Sequence, residues 1–222
     1  MLIVHLQGCK NAHFEEVQSG DSVDCLCRSH HAVCGRFCCP TGNDGCGASC
    51  SDSSAARWGS PTIPIRVDRD VAPASLGAAG WSDVVDDTLA AWGSVTSSNM
   101  VLQDVGDAQQ RGFGTDQQSE VFWILSSTEW QQKVGGGVNG ALGVTLPRYT
   151  CSPREIYGAD LVMNGAGFTN WQPTQADCDN FNCLSARSTL LHELGHWVGV
   201  DHPCSQCSWS AMSAQAFTEP DY

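Results

Sequence analysis

Ile63, Ile65 and Val67 are apolar at every second position. This period of two predicts a half-buried strand, whose start Pro61 and Pro64 confine to a sheet edge or an irregular opening. The period then changes. Trp81, Val84, Val85, Thr88, Leu89 and Trp92 fall at i, i+3, i+4, i+7, i+8 and i+11, the spacing of an amphipathic helix that stops near Gly93. Two tryptophans on one helix face need a large surface to pack against. Residues 100–105 read as a second strand and residues 106–118 as a polar loop. Residues 121–125, Val-Phe-Trp-Ile-Leu, are apolar without a break, as in a strand covered on both faces.

Gly135-Gly136-Gly137 marks a mobile loop. Residues 141–146 and 159–164 read as two more strands, joined around residues 147–158, and residues 177–182 as a turn-rich loop. A helix is expected over residues 184–198, with Leu190, Leu191, Leu194 and Val198 facing inward. Gly195 in its middle costs about 1 kcal/mol against alanine, and a close backbone contact would account for it. The whole pattern predicts an α+β domain that begins at Arg57-Trp58.

Residues 1–56 follow no such period. Eight of the 13 cysteines lie there, seven of them from Cys25 to Cys50, with little apolar material between. Such a segment builds no core and is expected to be held by disulfides, as a knot or pro-segment. Eight cysteines allow 105 pairings, so connectivity is not legible. A metal knuckle using His30 or His31 with cysteines is the competing reading. Residues 51–56 are a linker of small residues. The odd cysteine count leaves at least one thiol free, paired between chains or on a metal.

The net charge of −13 argues against nucleic acid or an anionic membrane surface as partner. No stretch is long and apolar enough to span a membrane. The cysteine density points to an oxidising compartment, hence an extracellular protein. Residues 1–6 are apolar but too short for a signal sequence and lack its basic flank, so the chain is expected to be a fragment or to start at an internal methionine.

The chemistry concentrates at His192-Glu193-Leu194-Gly195-His196-Trp197-Val198-Gly199-Val200-Asp201-His202. On a helix, His192 and His196 project from one face. Gly199 can adopt positive φ, end the helix and return the chain so that His202 becomes a third ligand. Three nitrogens leave one tetrahedral position open, the layout of a catalytic zinc site. Glu193 stands next to the first ligand, where it would act as general base on a water and hand the proton to a leaving amine.

This H-E-x-x-H-x-x-G-x-x-H pattern resembles the metzincin zinc endopeptidases, and Ser210-Ala211-Met212-Ser213 fits the place of their methionine turn. Over residues 57–212 the order of elements resembles the matrixin plan. Departures are Pro203 after the third histidine, as in serralysins, and Ser213-Ala214-Gln215 where a Pro-x-Tyr wall would stand.

The resemblance implies a twisted mixed sheet of about five strands with a backing helix and an active-site helix. It implies a secreted, monomeric zinc endopeptidase acting on peptide or protein substrates, and it leaves room for calcium as a second ion. Substrate would lie extended along an edge strand at Gly140, Ala141, Leu142, Gly143 and Val144. Residues 57–222 would be the catalytic domain, truncated at its C-terminus, because ten residues after Met212 are too few for the wall and a final helix. Disulfides among Cys178, Cys183, Cys204 and Cys207 would brace the metal site, either within each local pair or across it; a second metal site at Cys204 and Cys207 competes with this. The alternative is a silent or latent binding protein of the same fold, regulated by its cysteine-rich segment. One form of latency would have Cys34 cap the zinc, as a thiol does in matrix metalloproteinases.

Overall fold

The structure, a computed structural model, describes residues 57–95, 98–113, 118–149, 155–177, 183–200, 202 and 212, together with four strands between residues 14 and 40. Those four are β1 (Phe14–Ser19), β2 (Ser22–Cys27), β3 (His31–Cys34) and β4 (Phe37–Pro40). They pair as two antiparallel hairpins, β1 with β2 and β3 with β4.

From Arg57 onward the elements are β5 (Arg57–Trp58), β6 (Thr62–Val67), α1 (Gly77–Gly93), β7 (Val101–Asp104), β8 (Glu120–Ile124), α2 (Ser127–Lys133), β9 (Gly143–Tyr149), β10 (Glu155–Asn164), β11 (Trp171–Gln172), β12 (Leu184–Ser185) and α3 (Ala186–Trp197). Among the described residues this is a mostly parallel mixed sheet with three helices, an α+β arrangement in coarse outline. The sheet has six strands in place of about five, in the order β7-β6-β8-β10-β9, with two-residue β5 alongside the first residues of β10. Every pairing in it is parallel except that of β9, which runs antiparallel to β10 at the edge.

The two hydrophobic periods explain the layers. Along β6, Ile63, Ile65 and Val67 are buried while Thr62 and Pro64 are exposed. Pro64 sits where only β7 runs beside β6, since β8 joins at Arg66, so a residue without an N–H is tolerated. All five residues of β8 are buried, and its apolar run divides between two faces. Val121 and Trp123 join the main core with Leu161 and Met163 of β10, under α1 and α3. Phe122 and Ile124 join Val162, Phe113 and Trp130 in a second core on the opposite face. The α1 face meets the large surface it requires in Trp123, whose ring lies edge-on to both Trp81 and Trp171 at 5.2 and 5.0 Å.

Three elements depart from the sequence reading. The edge pair is longer than expected: β9 runs through Pro147 to Tyr149 and β10 begins at Glu155, with residues 150–154 outside the described residues. Pro147 is admitted because β9 is an edge strand. Arg148 of β9 forms a 2.6 Å ion pair with the fully buried Asp160 of β10. Gly158 makes room for it, because a Cβ there would come within 2.7 Å of the guanidinium.

The second departure is α2, which has only seven residues and no usable period. Its signal is a cap: Ser126 accepts from the Glu129 N–H, and Trp130 is buried one position later. The third is the start of α3. Leu184 and Ser185 pair with β11 before the helix begins, and the Ser185 hydroxyl caps it by accepting from the Ser188 N–H at 3.0 Å. Leu190, Leu194 and Val198 are buried as expected, but Leu191 is only half-buried. Among the described residues no helix is long and apolar enough to cross a membrane.

Candidate metal centre and cleft

Helix α3 carries His192 and His196 one turn apart. It ends where Val198 N–H donates to the Leu194 carbonyl and Gly199 N–H to the His196 carbonyl. Gly199 has φ +89°, the left-handed turn that glycine accommodates without a Cβ clash. The reversal brings His202 back over the helix. Its Nε2 lies 3.1 Å from Nε2 of His192 and 2.9 Å from Nε2 of His196.

The donor set fits a metal ion. Nδ1 of His196 lies 2.9 Å from the Val200 carbonyl, which only accepts, so the ring proton sits on Nδ1 and Nε2 presents a lone pair. That lone pair points into a space where two further imidazole nitrogens converge. Tetrahedral zinc with nitrogens at about 2.0–2.1 Å would separate them by roughly 3.3–3.4 Å, a few tenths of an ångström more than the present spacings. His192, His196 and His202 are the group of three among the described residues whose ligand atoms come together in this way.

Glu193 is 5% exposed, beside the histidines and facing β9. Burial raises its carboxyl to about 7, against the opposing effect of a hydrogen bond from Thr145. The Thr145 hydroxyl reaches Oε2 of Glu193 at 2.7 Å and the Glu193 main-chain oxygen at 3.0 Å.

Gly195 has the close contact its mid-helix position calls for. A Cβ there would stand 2.0 Å from Sδ of Met212, which is itself buried at 6% exposure. The contact is with a side chain, so Met212 presses on α3 one residue before His196. Trp58 holds the far end of the helix: its Nε1 donates to the Trp197 carbonyl at 2.7 Å, and the two rings stack at 6.5 Å.

A cleft of about 660 Å³ runs between α3 and the segment leading into β9. Gly140, Ala141, Leu142, Gly143 and Val144, expected to bind substrate, all line it, with Thr145. Only Gly143 and Val144 belong to the strand proper; residues 140–142 form its approach.

That approach is held by Asn164, fully buried at the end of β10. Its Nδ2 donates to the carbonyls of Val138 and Ala141 at 2.6 and 2.7 Å. Its Oδ1 accepts from the N–H groups of Ala166 and Gly167 at 3.1 and 2.8 Å. Gly167 lets the two turns meet, since a Cβ there would stand 1.9 Å from the Val138 carbonyl oxygen.

Sequence reasoning put Thr145 at the end of the expected edge strand but gave it no part beside Glu193, and it did not single out Asn164 or the Trp58–Trp197 link. The part of Thr145 was within reach, because residues two apart on a strand share a face and Gly143 was already in the site. Cys183 is disulfide-bonded, while Cys178, Cys204 and Cys207 lie outside the described residues, as do the side chains of His30, His31 and Cys34. No protein-family model matches this chain, and no curated protein matches it.

Proposed function

We propose that this chain is a secreted zinc-dependent endopeptidase of the metzincin type, resembling matrixins most. The observation that carries the reading is the convergence of three imidazole Nε2 atoms beside a buried glutamate, opposite an antiparallel edge strand. The sheet order supports it as well. Among the described residues of the six-stranded sheet, the antiparallel strand is the one that lines the cleft, as the extended-substrate arrangement requires.

His192, His196 and His202 would hold the ion as neutral imidazoles. Zinc bound there supplies Lewis acidity, activating a water and polarising a peptide carbonyl. The chain's own part is positional. An extended peptide adds along β9, its backbone pairing with the strand and its alternate side chains entering the cleft. The Glu193 carboxylate takes one proton from the water as the new C–O bond forms. As the C–N bond breaks it gives that proton to the leaving amine, so one water is consumed and two termini appear.

The test is a metal determination and a fluorogenic-peptide assay on the wild type and Glu193→Gln. One zinc per chain is expected in both, with turnover lowered by about 100- to 10,000-fold in the variant. A folded protein with no zinc, or a zinc-loaded Glu193→Gln with wild-type turnover, overturns the reading.

A further inference from the structure

We propose that Thr145 is a positioning residue that fixes the Glu193 carboxylate, so that the strand expected to bind substrate also aims the general base. The inference rests on the peptidase reading above and adds a part to it.

The alternation of β9 carries the argument. Val144 turns to the second core and lies opposite Val162 in the strand pair. Its neighbours Gly143 and Thr145 therefore face α3. At Gly143 the strand comes so near that a Cβ would stand 2.8 Å from Cγ and 3.2 Å from Oε1 of Glu193. At Thr145 it offers a hydroxyl to Oε2 at 2.7 Å. A gap at one position and a donor two residues on fix both the place and the plane of the carboxylate.

The same hydroxyl lies 3.0 Å from the Glu193 main-chain oxygen. It has one proton to donate and lone pairs to accept with. While Glu193 is a carboxylate, the hydroxyl donates to Oε2. Once Oε1 has taken the proton of the attacking water, Oε2 is the carbonyl oxygen of a neutral carboxyl and still accepts from the same hydroxyl. Oε2 keeps a partner in both states, and the carboxyl need not rotate between accepting the proton and releasing it. Oε1, the oxygen Thr145 does not engage, is left for the water.

The experiment compares Thr145→Val, which keeps the shape and removes the hydroxyl, with Thr145→Ser, which keeps it, in the full zinc-loaded chain. Thr145→Val is expected to lower kcat by about 10- to 100-fold with KM within about twofold of wild type and one zinc per chain. Thr145→Ser is expected to stay within about threefold of wild type in kcat. A second readout needs no turnover: the 13Cδ resonance of Glu193, assigned by its absence in Glu193→Gln, should move in Thr145→Val and stay in place in Thr145→Ser. Wild-type kcat in Thr145→Val, an effect confined to KM, or an unmoved resonance overturns the proposal. If the wild type shows no turnover, the peptidase reading fails and the resonance alone decides whether Thr145 positions Glu193.

Discussion

Sδ of Met212 fills the space a side chain at Gly195 would need, 2.0 Å from where its Cβ would stand. Glycine in mid-helix costs about 1 kcal/mol against alanine, so helix propensity alone favours Gly195→Ala. The contact reverses the sign. Gly195→Ala is expected to destabilise by about 1–3 kcal/mol, the usual cost of overpacking. Pairing it with Met212→Ala should restore part of that loss in urea unfolding. A single variant more stable than wild type would mean that the contact does not form.

What the sequence revealed, and what it hid, divides by the range of the interaction. The alternation of Ile63, Ile65 and Val67 and the stripe from Trp81 to Trp92 are local patterns, and both elements stand where those patterns put them. The histidine spacing is local as well, and Gly199 turns as its type predicts. What stayed hidden depends on distant partners. Gly195 needs Met212, Glu193 needs Thr145, and the approach to β9 needs Asn164. Strand lengths failed for a related reason, since Pro147 reads as a break until its strand is known to be an edge.

The Trp58–Trp197 hydrogen bond sets a sharp boundary for truncation. A chain starting at Arg57 keeps β5 and is expected to fold with full zinc affinity. A chain starting at Ser60 loses β5, the indole stack and the bond, and should be less stable by at least about 1–2 kcal/mol. Isothermal unfolding of the two chains checks this. If the Arg57 chain cannot fold under oxidising conditions, residues 1–56 belong to the core. If it folds and its turnover rises above that of the full chain, the thiol cap gains support, and Cys34→Ser should reproduce the rise.

Metal removal should loosen the site. A chelator is expected to abolish turnover reversibly and to lower the melting temperature. Restoring zinc to about 100 times its Kd should return roughly 2.7 kcal/mol through binding linkage. Replacing any one of His192, His196 or His202 with alanine should sharply weaken this response. A melting curve indifferent to zinc and chelator speaks against a bound ion.

Asn164 satisfies four main-chain groups with one amide. Asn164→Ala leaves all four to find water or go unpaired, for an expected loss of about 3 kcal/mol or more. Because the freed segment includes Ala141 and Leu142 on the cleft wall, KM should rise in any variant that still folds. An unchanged KM together with unchanged stability would show that the segment is held by other means.

Among the described residues β9 is paired along one side only, by β10. If the other side receives substrate backbone, recognition begins with conformation and only then with side chains. A folded target already spends its main-chain hydrogen bonds internally and has no bare strand to offer. Cleavage should then follow the local unfolding free energy of the target, falling first on frayed ends, loops and damaged chains. A protease built this way would sense disorder in its surroundings, and a target's own stability would be its protection.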